Sequence, residues 1–342
     1  MQTAGLIDLQ VNGYAGVDFN DGALSSDALD HALAAMLRAG VTLCLPTLIT
    51  ASEADLAARL AALDAAVAGS RLGPLMVPGY HLEGPFLNPS EGTRGCHPAS
   101  CMVPPDPDLL ARLRAGLRRP ILLLTLAPEL HGALALIRAM RDTGILVAIG
   151  HCAPSAAEVA AAAEAGAGMS THLGNGLPRL LPKLDNPLMA QLAEDRLAAG
   201  FIADGIHLPV FALKAMLRAK GRGRSILVTD AISGAAAPPG AYCFAGMAIA
   251  RGEDGAVRLA GTDTLAGAAL TLDAAVRNVA SWGLASADDA IRMAGANPAA
   301  LLARVGMAAP AGEVAWSAGL HALRVRLGEI EVRAPTEEPT GG

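Results

Sequence analysis

The sequence predicts an α/β fold, a (β/α)8 TIM barrel, on three observations. Apolar, strand-like runs alternate with alanine- and leucine-rich runs of helical spacing in eight units, the rhythm of a parallel sheet with helices packed outside it. The chain has 342 residues, and α/β barrels commonly reach about 250 residues as one unit. Histidines and carboxylates also recur where the strand-like runs end, which is where such a barrel collects its chemistry.

The strands are expected, in order, at "GLIDLQV", "VTLCLPTL", "LMVPGYHLEG", "ILLLTLAPE", "ILVAIGH", "GMSTHLGN", "AGFIADGIH" and "SILVTDAI". Helices fall between them at "LSSDALDHALAAMLRAG", "ASEADLAARLAALDAAVAG", "DPDLLARLRAGL", "HGALALIRAMRDTG", "SAAEVAAAAEAG", "PLMAQLAEDRL" and "PVFALKAMLRAK". Leucine and alanine recur there at helical spacing, and Ser, Asp or Pro stands at several starts. After the eighth strand, "YCFAGMAIARGEDGAVRLAG" reads as a β-hairpin turning at Glu253–Gly255, and helices from about Thr271 and Ser286 complete the outer ring. The expected organisation is a barrel over residues 1–305 with a β-hairpin insertion near 241–260. A residual small β segment follows over 306–333, then a disordered tail over 334–342.

Composition excludes several classes of function. A 52% hydrophobic content allows a large core, and no apolar run approaches the roughly 20 residues of a membrane span. The N-terminus "MQTAGLIDLQVNGYAG" lacks a signal peptide's basic and apolar regions, so a soluble, cytoplasmic protein is expected. A net charge of −6 without a Lys/Arg cluster argues against nucleic acid as a partner. The five cysteines form no CxxC pair and read as ordinary thiols.

The expected strand ends carry Gln10 and Asn12, His81 and Glu83, Glu129, His151, His172, Asp204 and His207, and Asp230. Taken singly, a strand-end His or Asp usually caps a helix or bonds to a loop. Their alignment changes that. His151 and His172 end successive strands, so their imidazoles should share a rim that Glu83 can reach from the third. Two imidazoles and one carboxylate form the three-ligand set of a catalytic metal site with a position left open. Asp230, on the closing strand, is placed to hold a water there. His81 lies two residues before Glu83, on the same strand face, and reads as its hydrogen-bonding support; Glu129 reads likewise. His31, His131 and His321 read as surface residues.

The stretches "GLIDLQVNGYAGVDFND", "HLEGPFLN", "RGCHP", "GHCAPS", "THLGNG", "FIADGIHLP", "LVTDAI" and "TLAGAALTLDAAVRN" resemble the amidohydrolase superfamily, and within it the N-acetylglucosamine-6-phosphate deacetylase family. They span nearly the whole barrel in order. The resemblance implies a barrel of the metal-dependent hydrolase type whose metal ligands fall on Glu83, His151 and His172 and whose catalytic aspartate falls on Asp230. His97 corresponds to a histidine that polarises the acetyl carbonyl, and His207 to one that contacts the sugar. Further substrate contacts map to Cys96, Asn175, Gly176, Asp204, Gly205, Ile206, Leu265, Ala266 and Gly267. Acetate and a free amino sugar are the implied products. One divalent ion, Zn2+ or alternatively Fe2+, is the implied cofactor, and a homodimer is the implied assembly.

Many amidohydrolases hold a second metal with His-x-His on the first strand. Gln10 and Asn12 stand there, and neutral amides bind a divalent cation far less well, so one tight site is expected. Three departures from the family follow. The chain starts almost at the first barrel strand, so the family's β-sandwich should be reduced or absent. The arginine that binds the sugar phosphate is replaced by Lys183, with Arg179 nearby, and lysine lacks the bidentate fork. The C-terminal pattern reads "GEVAWSAG". A non-phosphorylated or different N-acyl substrate is therefore the alternative, and a non-catalytic sugar-binding barrel is a more distant one.

Overall fold

The structure is a computed structural model and describes residues 1–308 and 312–333. The expected tail at 334–342 lies outside the described residues. Eight parallel strands make the barrel: Leu6–Val11, Val41–Ile49, Tyr80–Glu83, Ile121–Leu126, Leu146–Ile149, Met169–Ser170, Ala198–Phe201 and Ser225–Leu227. Each pairs with its neighbours in chain order. Among the described residues no continuous ladder joins the first strand to the last; the bridge Val11–Ala231, just past the last strand, stands in its place.

Helices follow where spacing and caps place them. Ser26–Arg38 buries Leu29, Ala32, Leu33, Met36 and Leu37 on one face, and the Ser25 side chain accepts from the Ala28 amide. Ser52 caps Glu53–Gly69, and Ser155 with Glu158 forms a full capping box on Ala156–Ala165. Each such cap is worth about 1 kcal/mol. The helices at Leu272–Ser281 and Ala287–Ala294 close the ring.

Three expectations need correction. The third strand begins at Tyr80; Leu75 and Met76 belong to a short helix, Gly73–Met76, with Pro74 in its first turn. The sixth and eighth strands are much shorter than their apolar runs, because the chain leaves the sheet before the polar residues that follow. The insertion is a three-stranded sheet, Gly240–Phe244, Met247–Arg251 and Val257–Leu259. A tight turn at Ala245–Gly246, both with positive φ, splits what reads as a single hairpin. Phe244, Ile249 and Val257 seat this sheet on Ile49, Ile232 and Ala266 beside the barrel mouth.

Gln2–Ala4 does not join the barrel. It pairs antiparallel with Gly312–Trp316, and Ala322–Leu327 and Ile330–Arg333 complete a four-stranded sheet. Trp316, 3% exposed, donates from Nε1 to Thr3 Oγ1 at 2.8 Å and so ties the N-terminal strand to this sheet. Among the described residues this single sheet stands where a sandwich would be.

Candidate active site

Glu83 ends the third barrel strand, while His151, His172 and Asp230 lie just past the fifth, sixth and eighth. The last three have positive φ, at 50°, 25° and 50°. Holding a non-glycine residue there costs roughly 1–3 kcal/mol, and the structure accepts this at three positions that converge. Glu83 Oε1 lies 3.1 Å from His172 Nε2 and 3.3 Å from His151 Nε2, and the two Nε2 atoms are 3.1 Å apart. All three side chains are buried.

The hydrogen bonds around these rings assign their protons. His151 Nδ1 is 2.7 Å from the Thr93 carbonyl. A carbonyl only accepts, so Nδ1 carries the proton and Nε2 presents a lone pair to the cluster. Gly176 makes the approach possible: with φ at 59°, a Cβ on it would stand 2.9 Å from His151 Nδ1. His172 Nδ1 is buried without a partner. Donors about 3.3 Å apart match the edge of a tetrahedron with bonds of about 2.0–2.1 Å. The donor set therefore fits a divalent ion.

His97 reaches the same centre, its Nε2 3.8 Å from Glu83 Oε2. Its proton sits differently. His97 Nδ1 lies 3.0 Å from Thr50 Oγ1, which can donate or accept, and the Thr50 amide, which can only donate, points at it from 3.4 Å; an accepting Nδ1 suits both contacts and puts the proton on Nε2. Burial, aided by the neighbouring His151, pushes His97 down to about 3, which keeps it neutral near pH 7. Glu83, His97 and His151 thus bring ligand-type atoms within 4.8 Å of one another, with a lone pair on His151 and an N–H on His97 turned to the centre.

Asp230 accepts from Asn12 Nδ2 at 2.8 Å through Oδ1, and burial pushes its carboxyl up to about 6. Gln10 donates to Glu83 Oε1 at 3.0 Å. Burial would raise Glu83, but bonding to His151 and His172 holds it well below the usual carboxylate range. Beneath it, His81 spans from Thr47 Oγ1 at 3.2 Å to Thr125 Oγ1 at 2.8 Å, and Thr125 continues to Thr171 at 2.7 Å. Glu129 accepts from Asn88 Nδ2 and the Ala153 amide, joining the loops after the third and fifth strands.

A cavity of about 170 Å3 opens over this cluster. Of the expected substrate contacts, Cys96, His97, Asn175, Gly176, His207, Leu265, Ala266 and Gly267 line it. Asp204, Gly205 and Ile206 do not. Asp204 instead holds His207, accepting its backbone amide at 2.9 Å and lying 2.6 Å from its Nδ1. Lys183 and Arg179 sit outside the lining on an exposed loop, where Arg179 pairs with Glu91 at 3.5 Å. Burial pushes the Cys96 thiol up to about 12, so it is a wall, not a nucleophile. Ile49 and Phe244 also line the cavity and were missed. Ile49 is the last residue of a strand read one residue too short, and nothing in the hairpin's alternation marks Phe244.

A sequence profile of the amidohydrolase family matches residues 1–315. An N-acetylgalactosamine-6-phosphate deacetylase of Escherichia coli O157:H7 is 33% identical over 326 residues, covering 93% of this chain and 84% of that protein. An N-acetylglucosamine-6-phosphate deacetylase of Bacillus subtilis (strain 168) is 32% identical over 278 residues, covering 80% and 68%. The crystal structure of N-acetyl-D-glucosamine-6-phosphate deacetylase from Mycobacterium smegmatis superposes with a TM-score of 0.86 at 28% identity, covering 97% of this chain and 87% of that one. A mutant of the enzyme from that organism, in complex with N-acetyl-D-glucosamine-6-phosphate, gives 0.85 at 28%, covering 95% and 85%. With its fold, its convergent Glu/His/His centre and a profile match over most of its length, this chain belongs to the amidohydrolase family.

Proposed function

We propose that this chain hydrolyses the acetamide of N-acetylglucosamine 6-phosphate, giving glucosamine 6-phosphate and acetate. The observation that carries the reading is the division of labour among the buried groups: lone-pair donors on Glu83 and His151, an N–H donor on His97, and a carboxylate on Asp230, all around one cavity. The names of the relatives supply the acetylated hexosamine phosphate.

Glu83, His151 and His172 would hold one divalent ion, Zn2+ in this reading, with Fe2+ as the rival. Bound there, such an ion supplies Lewis acidity and acidifies water from a pKa of about 16 toward 7. Asp230 does the proton work. Asn12 occupies Oδ1, so Oδ2 is left to take the proton of the attacking water and return it to the leaving amine. With a carboxyl near 6, the base is ionised at neutral pH and still basic enough to accept. His97 Nε2–H donates to the oxygen that gains charge as the acetyl carbon becomes tetrahedral. Asp204 keeps His207 Nδ1 engaged, so Nε2 is the ring atom left for a sugar hydroxyl.

One observation favours a second reading, an N-acetyl substrate without phosphate: among the described residues no lysine or arginine lines the cavity. Steady-state acetate release from phosphorylated and free N-acetylhexosamines and from N-acyl amino acids decides between them. Turnover of the phosphorylated hexosamine alone supports the deacetylase; turnover only of unphosphorylated compounds overturns it. The homodimer implied by the resemblance belongs to the same proposal. The loop after the sixth strand exposes Leu180 and Leu184 at 90% and 75%, and sedimentation would read the assembly.

A further inference from the structure

Asp8 takes no part in the steps above, yet it is a fully buried carboxyl inside the barrel. Its Oδ2 lies 2.6 Å from Thr229 Oγ1, and its Oδ1 accepts from the Thr229 and Gln10 amides at 3.2 and 3.3 Å. Thr229 immediately precedes Asp230. Its hydroxyl oxygen also accepts from the Ala231 amide at 3.1 Å, so the same side chain grips the backbone on both sides of Asp230.

These bonds stand where the barrel lacks a ladder. The last strand stops at Leu227, and one bridge, Val11–Ala231, connects it to the first. Between those points Asp230 is held at φ 50°. Backbone bonds help: Asp230 N to Gln10 O at 2.9 Å, Asn12 N and Gly13 N to Ala231 O at 2.7 and 3.1 Å, and Ala268 N to Asp230 O at 2.9 Å. The carboxyl of Asp8 and the Thr229 hydroxyl, which also lies 3.2 Å from the Gln10 carbonyl, join the two strands one residue before the strained position. Burying a carboxyl is costly unless it is fully bonded, and apolar packing would close a barrel without that cost.

We propose that Asp8 is a positioning residue for Asp230: through Thr229 it clamps the first strand to the eighth and holds the strained turn that aims the catalytic carboxylate. The inference rests on Asp230 being the base. Asparagine at position 8 can accept both amides and donate to Thr229, so it preserves the clamp; alanine removes it.

The test compares Asp8→Ala, Asp8→Asn, Thr229→Val and Thr229→Ser as metal-loaded enzymes on N-acetylglucosamine 6-phosphate, with Asp230→Asn alongside. Asp8→Ala and Thr229→Val should lower kcat at least about 30-fold while KM stays within about 3-fold, as expected when a group acts only in the transition state. Asp8→Asn and Thr229→Ser should restore kcat to within about 5-fold of wild type. The Asp8→Ala/Thr229→Val double variant should be no slower than either single one, because both break one clamp. Leu9→Ala, a packing loss on the outward face of the same strand, should lower Tm without moving kcat. Unchanged kcat in folded Thr229→Val, or equal kcat losses in Asp8→Ala and Leu9→Ala, overturns the proposal. Wild-type turnover in Asp230→Asn overturns the base assignment itself.

Discussion

Exchanging Asp8 for asparagine should change how stability depends on pH, with a sign and a size that follow from its surroundings. Burial pushes the carboxyl up from 3.8 to about 7, against the bonds from Thr229 and Gln10 and with the charge of Asp230. The titratable groups that face it are Asp230, Cys44 and Tyr14; burial pushes the last two up, and the Asp8 charge adds to it. A folded pKa above the unfolded one means that the native chain binds the extra proton between the two values. Stability from this group is therefore full below pH 3.8 and is lost as pH rises through about 7. The displacement from 3.8 to about 7 corresponds to roughly 4 kcal/mol. About 3 kcal/mol of that falls between roughly pH 5 and pH 8. Asparagine cannot titrate, so Asp8→Asn should gain on the wild type by that amount over the interval and hold level above it. Urea unfolding of both proteins at a series of pH values measures the difference, in which the other titrations cancel. A difference that stays constant from pH 5 to 8 would refute the reasoning.

Other perturbations act on the site directly. Glu83→Gln keeps the shape but removes the charged donor, and metal per chain after dialysis should fall well below that of wild type; retention of a full equivalent would remove Glu83 from the ligand set. Asp230→Asn should keep the ion and lower turnover by about 100-fold or more. His97→Gln should bind metal normally and lose about 10²–10³ in kcat, the usual cost of an oxyanion donor; loss of metal instead would make His97 a ligand. Lys183 lies outside the cavity lining, so Lys183→Ala should leave KM for the phosphorylated sugar within about 3-fold of wild type, and a KM raised about 10-fold with kcat kept would instead make it the phosphate contact that the resemblance implies.

The barrel was legible because its period is global. Each expected helix, from Ser26–Arg38 to Val210–Lys220, begins and ends within a few residues of its leucine and alanine pattern, since burial of one face decides those positions. Strand ends were less legible. "GMSTHLGN" and "SILVTDAI" read as full strands, but the ladder ends at Ser170 and Leu227, and the positive φ of His172 and Asp230 has no sequence mark in a non-glycine residue. The centre itself could be assembled from residue type and strand order. Its proton positions could not: whether His97 ligates or donates turns on the Thr50 amide, from a different strand end. The insertion was misread for a similar reason, because Ala245–Gly246 is a weak turn signal beside Gly252–Gly255. The N-terminal strand Gln2–Ala4 is too short and too polar to announce a partner more than 300 residues away.

The most direct test is the steady-state hydrolysis of N-acetylglucosamine 6-phosphate beside N-acetylglucosamine, using protein whose metal content has been measured. One ion per chain and a strong preference for the phosphorylated sugar are the expected result. Equal or absent activity on both sugars, with one ion bound, would contradict hydrolysis of the phosphorylated acetamide as this chain's reaction.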